Sequence, residues 1–305
     1  MPQPPCPTTP DRLPHTSAPV DEPPATGAAA RRQRRRSRFG ASSPATLLLA
    51  FAALYLLAVL TPLGQSAENA LVRGYADGAR ISVLTQSWGP PPFTDEEATL
   101  LVGAVLIVVV AAIRRRRREG VAGLVTVVAA LGVTELLSTY VLGRPDLVHA
   151  PQPLLAPSFP SGHVAIAAAL TLGLALVASE RSRPYVVGAG GLWTAVTAGG
   201  VQSLYWHRPS DVLGATLLAC ACYGLAGRLL KVATVPEDTV PEATRVRVLL
   251  PLGVAAVGAV LASSRDDALA RPLVFAAAAL VCAVLIHVTV LTPSAGARTP
   301  RASRG

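Results

Sequence analysis

Charge is scarce in this sequence: only 15% of its 305 residues are Asp, Glu, Lys or Arg, and only 5% are aromatic. Soluble globular domains carry about a quarter charged residues, so a soluble domain is excluded as the body of the chain. Cysteine is sparse too. Cys6 lies in the N-terminal segment, Cys220 and Cys222 share one apolar block, and Cys282 lies in another. They show neither metal-ligand spacing nor a disulfide framework, and all four read as inert. Acidic residues are few, 18 against 27 basic, for a formal charge of +9. The basic excess clusters beside apolar blocks, which points to membrane topology and to membrane lipids as neighbours, with no nucleic-acid partner. No cluster of carboxylates of the kind magnesium needs is present, so neither a metal nor another cofactor is expected.

What the sequence has in abundance is long apolar blocks, and 51% of the residues are hydrophobic. The expected class is all-α, a polytopic membrane helical bundle. Residues 1–43 are rich in Pro, Ala, Thr and Arg and cannot bury a core; they read as a disordered basic cytoplasmic tail ending in the polybasic stretch Arg31–Arg38. Eight runs follow: Ala45–Leu63, Ala98–Ile113, Gly120–Leu142, His163–Ala178, Tyr185–Leu204, Asp211–Leu230, Val248–Ala262 and Pro272–Leu291. Between the first two, Leu71, Tyr75, Ile81 and Leu84 recur at near-helical spacing, as in a segment lying on the membrane surface. The domain reading is a six-span unit over 44–231, a cytoplasmic loop at 232–247, two further spans over 248–291 and a cytoplasmic tail at 292–305.

With the N-terminus inside, the arginines of the tail, the block Arg114–Arg118, Arg181, Arg183, Arg228, Lys231, Arg245 and Arg247 all fall inside. Arg73, Arg80, Arg144, Arg208, Arg265 and Arg271 are left outside. The positive-inside rule is met at every loop, and both termini are expected in the cytoplasm.

That topology gathers three polar clusters at the outer face. They are Gly143-Arg144-Pro145-Asp146, Pro160-Ser161-Gly162-His163 and His207-Arg208-Pro209-Ser210-Asp211. Pro157, Pro160 and Gly162 keep 160–162 out of a helix, so a helix starts near His163 with free N–H groups and a positive dipole end, a place for phosphate. Alone, this tetrapeptide reads first as an ordinary turn with His163 an interfacial histidine; the rest of the chain reverses that reading. His207 and Asp211, at i and i+4 on a helix start, lie on one face. A carboxylate on one ring nitrogen fixes the tautomer and frees the other as a nucleophile. His163 can then protonate the leaving oxygen. Arg144 offers a planar fork to phosphate, and the Ser161 hydroxyl and Gly162 N–H offer further donors. The alternatives are a local capping pair for His207 and Asp211 and a snorkelling interfacial side chain for Arg144.

These motifs resemble those of the type 2 phosphatidic acid phosphatase superfamily, membrane lipid phosphatases whose signature is Lys-x6-Arg-Pro, Pro-Ser-Gly-His and Ser-Arg-x5-His-x3-Asp. Arg144-Pro145 matches the end of the first part, Pro160–His163 the whole second part, and His207 and Asp211 the end of the third. The resemblance covers about residues 45–231. It implies a six-helix phosphatase core, extended here by two C-terminal transmembrane helices, with His207 as nucleophile, Asp211 as its partner and His163 as the acid. The sequence departs from the signature where Leu137 replaces the lysine, and Gly200 and Val201 replace the Ser-Arg pair. Arg208 is the expected substitute cation, with Arg73 and Arg80 behind it; a rim charge near lipid headgroups is the other reading of Arg208. Glu135, roughly 13 Å along the helix from Arg144, is either functional or protonated and bonded to Thr134 or a neighbouring helix. His149 and Asp146 read as solvated loop residues.

The reading is therefore a metal-independent hydrolase of a lipid phosphate or diphosphate, polyprenyl diphosphate or a phosphatidic acid-like lipid. It would work through a phosphohistidine at the outer face of a bacterial cytoplasmic membrane. The rival is a catalytically degenerate member that binds lipid headgroups or serves as a membrane scaffold.

Overall fold

Pro62 divides the first apolar run. Proline has no N–H to continue a helix and restricts the residue before it. In the computed structural model, which describes residues 43–72, 95–232 and 270–291, helix α1 runs Pro44–Val59 and a second helix, α2, opens at Pro62 and ends at Leu71. The two meet at 80°. Thr61 caps α2, its hydroxyl oxygen accepting from Gly64 N at 3.0 Å. The single span expected over Ala45–Leu63 is thus a bent pair. Of the four apolar positions expected on the membrane surface, only Leu71 lies within the described residues.

Beyond α2 come α3 (Glu96–Ile113), α4 (Arg117–Leu136), α5 (Gly162–Val177), α6 (Arg183–Ser203), α7 (Pro209–Leu229) and α8 (Ala270–Leu291). The described residues hold these eight α-helices and no strand. A π-turn at Leu137–Val141 extends α4, and a short 3₁₀ turn at Gln152–Leu154 lies in the loop that follows. Among the described residues, four helices are long and apolar enough to cross a membrane, namely α3, α4 with its π-turn, α7 and α8. The bent pair α1–α2 brings the number to five. The fourth expected run is a helix of only 16 residues, α5. The fifth, α6, carries Gly188, Gly190, Gly191, Thr194, Thr197 and Gln202, too polar for the long apolar set. The seventh run, Val248–Ala262, the tails and the 232–247 loop beyond Val232 lie outside the described residues.

Helix α5 is the centre of the bundle. It packs against α3, α4, α6 and α7, and Val164–Gly173 and Ala175–Val177 are all buried. A helix apolar all round belongs inside, among other helices. Small residues let its neighbours approach: a Cβ on Gly123 of α4 would sit 2.9 Å from the Gly173 carbonyl oxygen of α5. The outer helices are patterned the other way. Helix α3 turns Gly103, Ile107 and Ala111 inward and exposes Leu101, Val105 and Val108, as a lipid-facing helix does. The protein is an all-α helical membrane protein.

The two ends of α5 differ. At its C-terminal end the chain reverses from α3 to α4 through Arg114–Arg116, with Arg115 at φ 55°. Arg114 Nη1 donates to Val177 O at 3.2 Å, Arg116 Nη1 to Ala178 O at 3.4 Å and Arg183 Nε to Ala175 O at 3.1 Å. At its N-terminal end lie the three polar clusters.

Candidate active site

The start of α7 sets the first histidine. Pro209 occupies the first helical turn and holds Arg208 extended, at φ −94° and ψ 165°. One turn in, Asp211 Oδ2 accepts from Arg208 N at 2.9 Å and lies 3.3 Å from His207 Nδ1. The same carboxylate therefore closes the helix start and anchors the ring. It is fully buried. With Nδ1 turned to Asp211, Nε2 is the free nitrogen of His207.

The start of α5 sets the second histidine. Ser161 caps it, accepting from Val164 N at 3.5 Å, and its own N–H donates to Asp211 O at 3.0 Å. The Ser161 side chain is buried at the cap. A Cβ on Gly162 would meet nothing within 4 Å, so open space lies in front of this turn. His163 and His207 come from separate helix starts, yet their ring centroids are 5.8 Å apart, edge to face. Trp206 flanks His163 at 5.5 Å.

Both arginines turn inward. Arg208 is 5% exposed, so it is no rim charge. It donates from Nη1 to Ser158 Oγ at 2.9 Å and from Nη2 to Leu154 O at 2.7 Å and Asn69 Oδ1 at 3.4 Å. Arg144 donates from Nη2 to the same Asn69 oxygen at 3.3 Å, and its Nη1 lies 3.8 Å from Glu68 Oε2. One amide oxygen thus bridges two guanidinium groups. Burial, and then the neighbouring Arg208, push the Arg144 guanidinium below its ordinary value. Two cations sharing one acceptor gain from an added anion. Three buried atoms of this cluster have no hydrogen-bond partner: Arg144 Nη1, Arg208 Nε and Glu68 Oε2.

Four polar residues of the site were missed in the sequence. Gln65, Glu68 and Asn69 form the inward face of α2. Gln65 Nε2 donates to Val59 O at 2.8 Å and Pro145 O at 2.6 Å, fastening the loop that carries Arg144 across the α1–α2 bend. Glu68 Oε1 accepts from Ser210 N at 3.0 Å at the start of α7. The fourth is Glu96, whose Oε1 lies 2.7 Å from His163 Nε2. The available signal is the spacing of Gln65, Glu68 and Asn69, three and four residues apart, directly after Pro62.

The remaining candidates lie apart. Leu137 opens the π-turn. Val201 is buried, and its carbonyl accepts from Trp206 N and His207 N at 3.0 and 3.3 Å. Glu135 is exposed, and its carboxylate accepts from Thr139 Oγ1 at 3.0 Å; the expected bond to Thr134 is not made. Asp146 Oδ1 accepts from Val148 N and Ala150 N within its own loop. Arg73 and Arg80 lie outside the described residues. Among the described residues, no three His, Cys, Asp or Glu side chains converge as metal ligands do.

Residues 119–233 match the family model of the PAP2 superfamily. The segment 119–233 thus resembles the PAP2 superfamily. The matched segment takes in α4 from Glu119 onward and the whole of α5 to α7, and with them Arg144, Ser161, Gly162, His163, His207, Arg208 and Asp211. It leaves out Glu68, Asn69 and Glu96, which reach the PAP2 region from α2 and α3. Neither the curated proteins nor the solved structures yield a match. PAP2 proteins generally hydrolyse phosphate esters; in this chain the matched segment lies inside a bundle of apolar helices.

Proposed function

We propose that this protein is an integral membrane lipid phosphatase that transfers the phosphoryl group of a lipid phosphate or diphosphate to His207. The observation that carries the reading is the pair of histidine rings 5.8 Å apart, one anchored to a buried carboxylate. His207 Nε2 attacks phosphorus; the P–N bond forms as the P–O bond to the lipid breaks, and His163 gives its proton to the departing oxygen. Water then attacks the phosphohistidine, His163 recovers a proton from it, and phosphate leaves. Arg144 and Arg208 hold the non-bridging oxygens, with the Gly162 N–H and the Ser161 hydroxyl completing the cradle. No step calls for a metal.

Orientation is part of the proposal. The turn holding Arg114–Arg116 lies at the opposite end of α5 from the histidines. The positive-inside rule then supports an extracytoplasmic site in a bacterial cytoplasmic membrane, with both termini cytoplasmic. Cysteine placed at Ala150 should react with an impermeant thiol reagent in intact cells, and cysteine at the exposed Glu180 should not; the reverse pattern inverts the topology.

One observation favours a second reading. Glu68 sits against Arg144, where a phosphate oxygen would sit, as in a degenerate member that binds headgroups without turning them over. Phosphate release by purified protein in detergent, over a panel of lipid phosphates with EDTA present, separates the two. Release that survives EDTA and vanishes in His207→Asn supports the phosphatase. Binding of anionic lipid without release supports the degenerate member, and release that depends on an added divalent ion rejects the mechanism.

A further inference from the structure

The two histidines are held by carboxylates in unlike settings. Asp211 holds His207 through Nδ1 from a fully buried position. Glu96 holds His163 through Nε2 at 2.7 Å, and its side chain is half exposed. Glu96 stands at the first position of α3, in a turn fixed by Asp95, whose Oδ1 accepts from Glu97 N at 2.9 Å and Ala98 N at 3.2 Å. Trp206 and His207, from the α6–α7 turn, make ring contacts with His163. Among the described residues, Glu96 is the acidic group paired with His163, and it comes from outside the PAP2 match.

We propose that Glu96 is the positioning residue of the proton donor: by binding His163 through Nε2, it orients the ring and leaves Nδ1 to exchange the proton with the substrate oxygen. The inference rests on the phosphatase reading above. A carboxylate on one ring nitrogen fixes the ring and favours its cationic form, which is the form that can give a proton away. The step balances as written: the P–O bond breaks, the P–N bond to His207 forms, and the proton on His163 goes to the alkoxide. Water later returns a proton to His163 when it attacks phosphorus. The carboxylate exchanges no proton with substrate, so Glu96 acts through His163 alone.

The role makes a claim about the leaving group. An alkoxide, as in phosphatidic acid, is a poor leaving group and needs the proton. A nitrophenolate leaves without one. In the full-length protein in detergent, Glu96→Gln should lower kcat/KM for phosphatidic acid by about 10- to 100-fold, part of the full general-acid contribution. For p-nitrophenyl phosphate it should change kcat/KM by less than about 3-fold, because kcat/KM reports steps up to the phosphoryl transfer. Glu96→Asp should restore part of the lipid activity. A second measurement does not depend on turnover: the downfield imidazole N–H proton of His163, seen by NMR in the wild type and assigned by its loss in His163→Asn, should move in Glu96→Gln. An unmoved resonance, no loss on either ester, or equal losses on both would overturn the role of Glu96 while leaving the phosphatase standing. A wild-type protein inactive on both esters removes the phosphatase reading, and this inference with it.

Discussion

The two ends of α5 use arginine in opposite ways. At the C-terminal end, the guanidinium groups of Arg114, Arg116 and Arg183 each donate to a backbone carbonyl of the last turn or the residue just beyond. Carbonyls there have no helical partner, and the dipole favours cations. These arginines are structural caps. At the N-terminal end, Arg144 and Arg208 meet beside a helix start, where the dipole favours anions. They are gathered on one amide oxygen, with Arg144 Nη1 and Arg208 Nε left without a hydrogen bond. A buried donor without an acceptor costs on the order of 1–3 kcal/mol, and a bound phosphate would recover it. The same side chain thus closes one end of the helix and leaves the other ready for an anion.

The sharpest way to break this comparison is to remove the cation beside His207. Arg208→Ala should lower turnover by about 30- to 1000-fold, the loss of roughly 2–4 kcal/mol of transition-state contact. Arg208→Lys should recover only part, since the planar fork is gone. Near-wild-type turnover in the alanine protein would remove Arg208 from the site. A smaller effect is expected at the bridge. Asn69→Ala should reduce kcat/KM by about 10-fold and combine less than additively with Arg208→Ala, because both changes break one contact; strict additivity in the double mutant would show that the amide does not organise the arginines. The smallest effect on catalysis is expected at the opposite end. Arg183→Met leaves the Ala175 carbonyl without its donor and should destabilise the protein by about 1–3 kcal/mol in thermal unfolding, with kcat unchanged. A selective fall in kcat there would mean that the two ends are not distinct.

Much of this architecture is written locally in the sequence. The apolar blocks of α3, α4, α7 and α8 appear as runs because each helix needs its own length of apolar residues. His163, His207, Asp211 and Arg144 could be brought to one face by counting crossings alone. The bend at Pro62 was encoded locally too, but the apolar run continued past the proline and concealed it. The contacts of Glu68, Asn69 and Glu96 were not legible. Each joins positions far apart in the chain, Asn69 to Arg208 and Glu96 to His163, and no local spacing records which helix ends meet. Glu135 shows the converse. A carboxylate inside an apolar run looked exceptional, yet it accepts from Thr139 one turn away.

The hydrogen bond from Ser161 N–H to the Asp211 carbonyl carries a mechanical consequence. Helix α5 has 16 residues, about 24 Å at 1.5 Å per residue, shorter than a hydrocarbon core of roughly 30 Å. A helix of that length cannot take its position from the two lipid–water boundaries. Its upper end is latched to α7 by a backbone bond, and its lower end is held by three guanidinium groups. When the bilayer thins or thickens, the lipid-facing helices absorb the mismatch by tilting, while the spacing of the two imidazole rings is carried by that latch. The two histidines are thereby insulated from the elasticity of the surrounding lipid, and the rate of the proposed reaction should hardly respond to acyl-chain length in the host membrane.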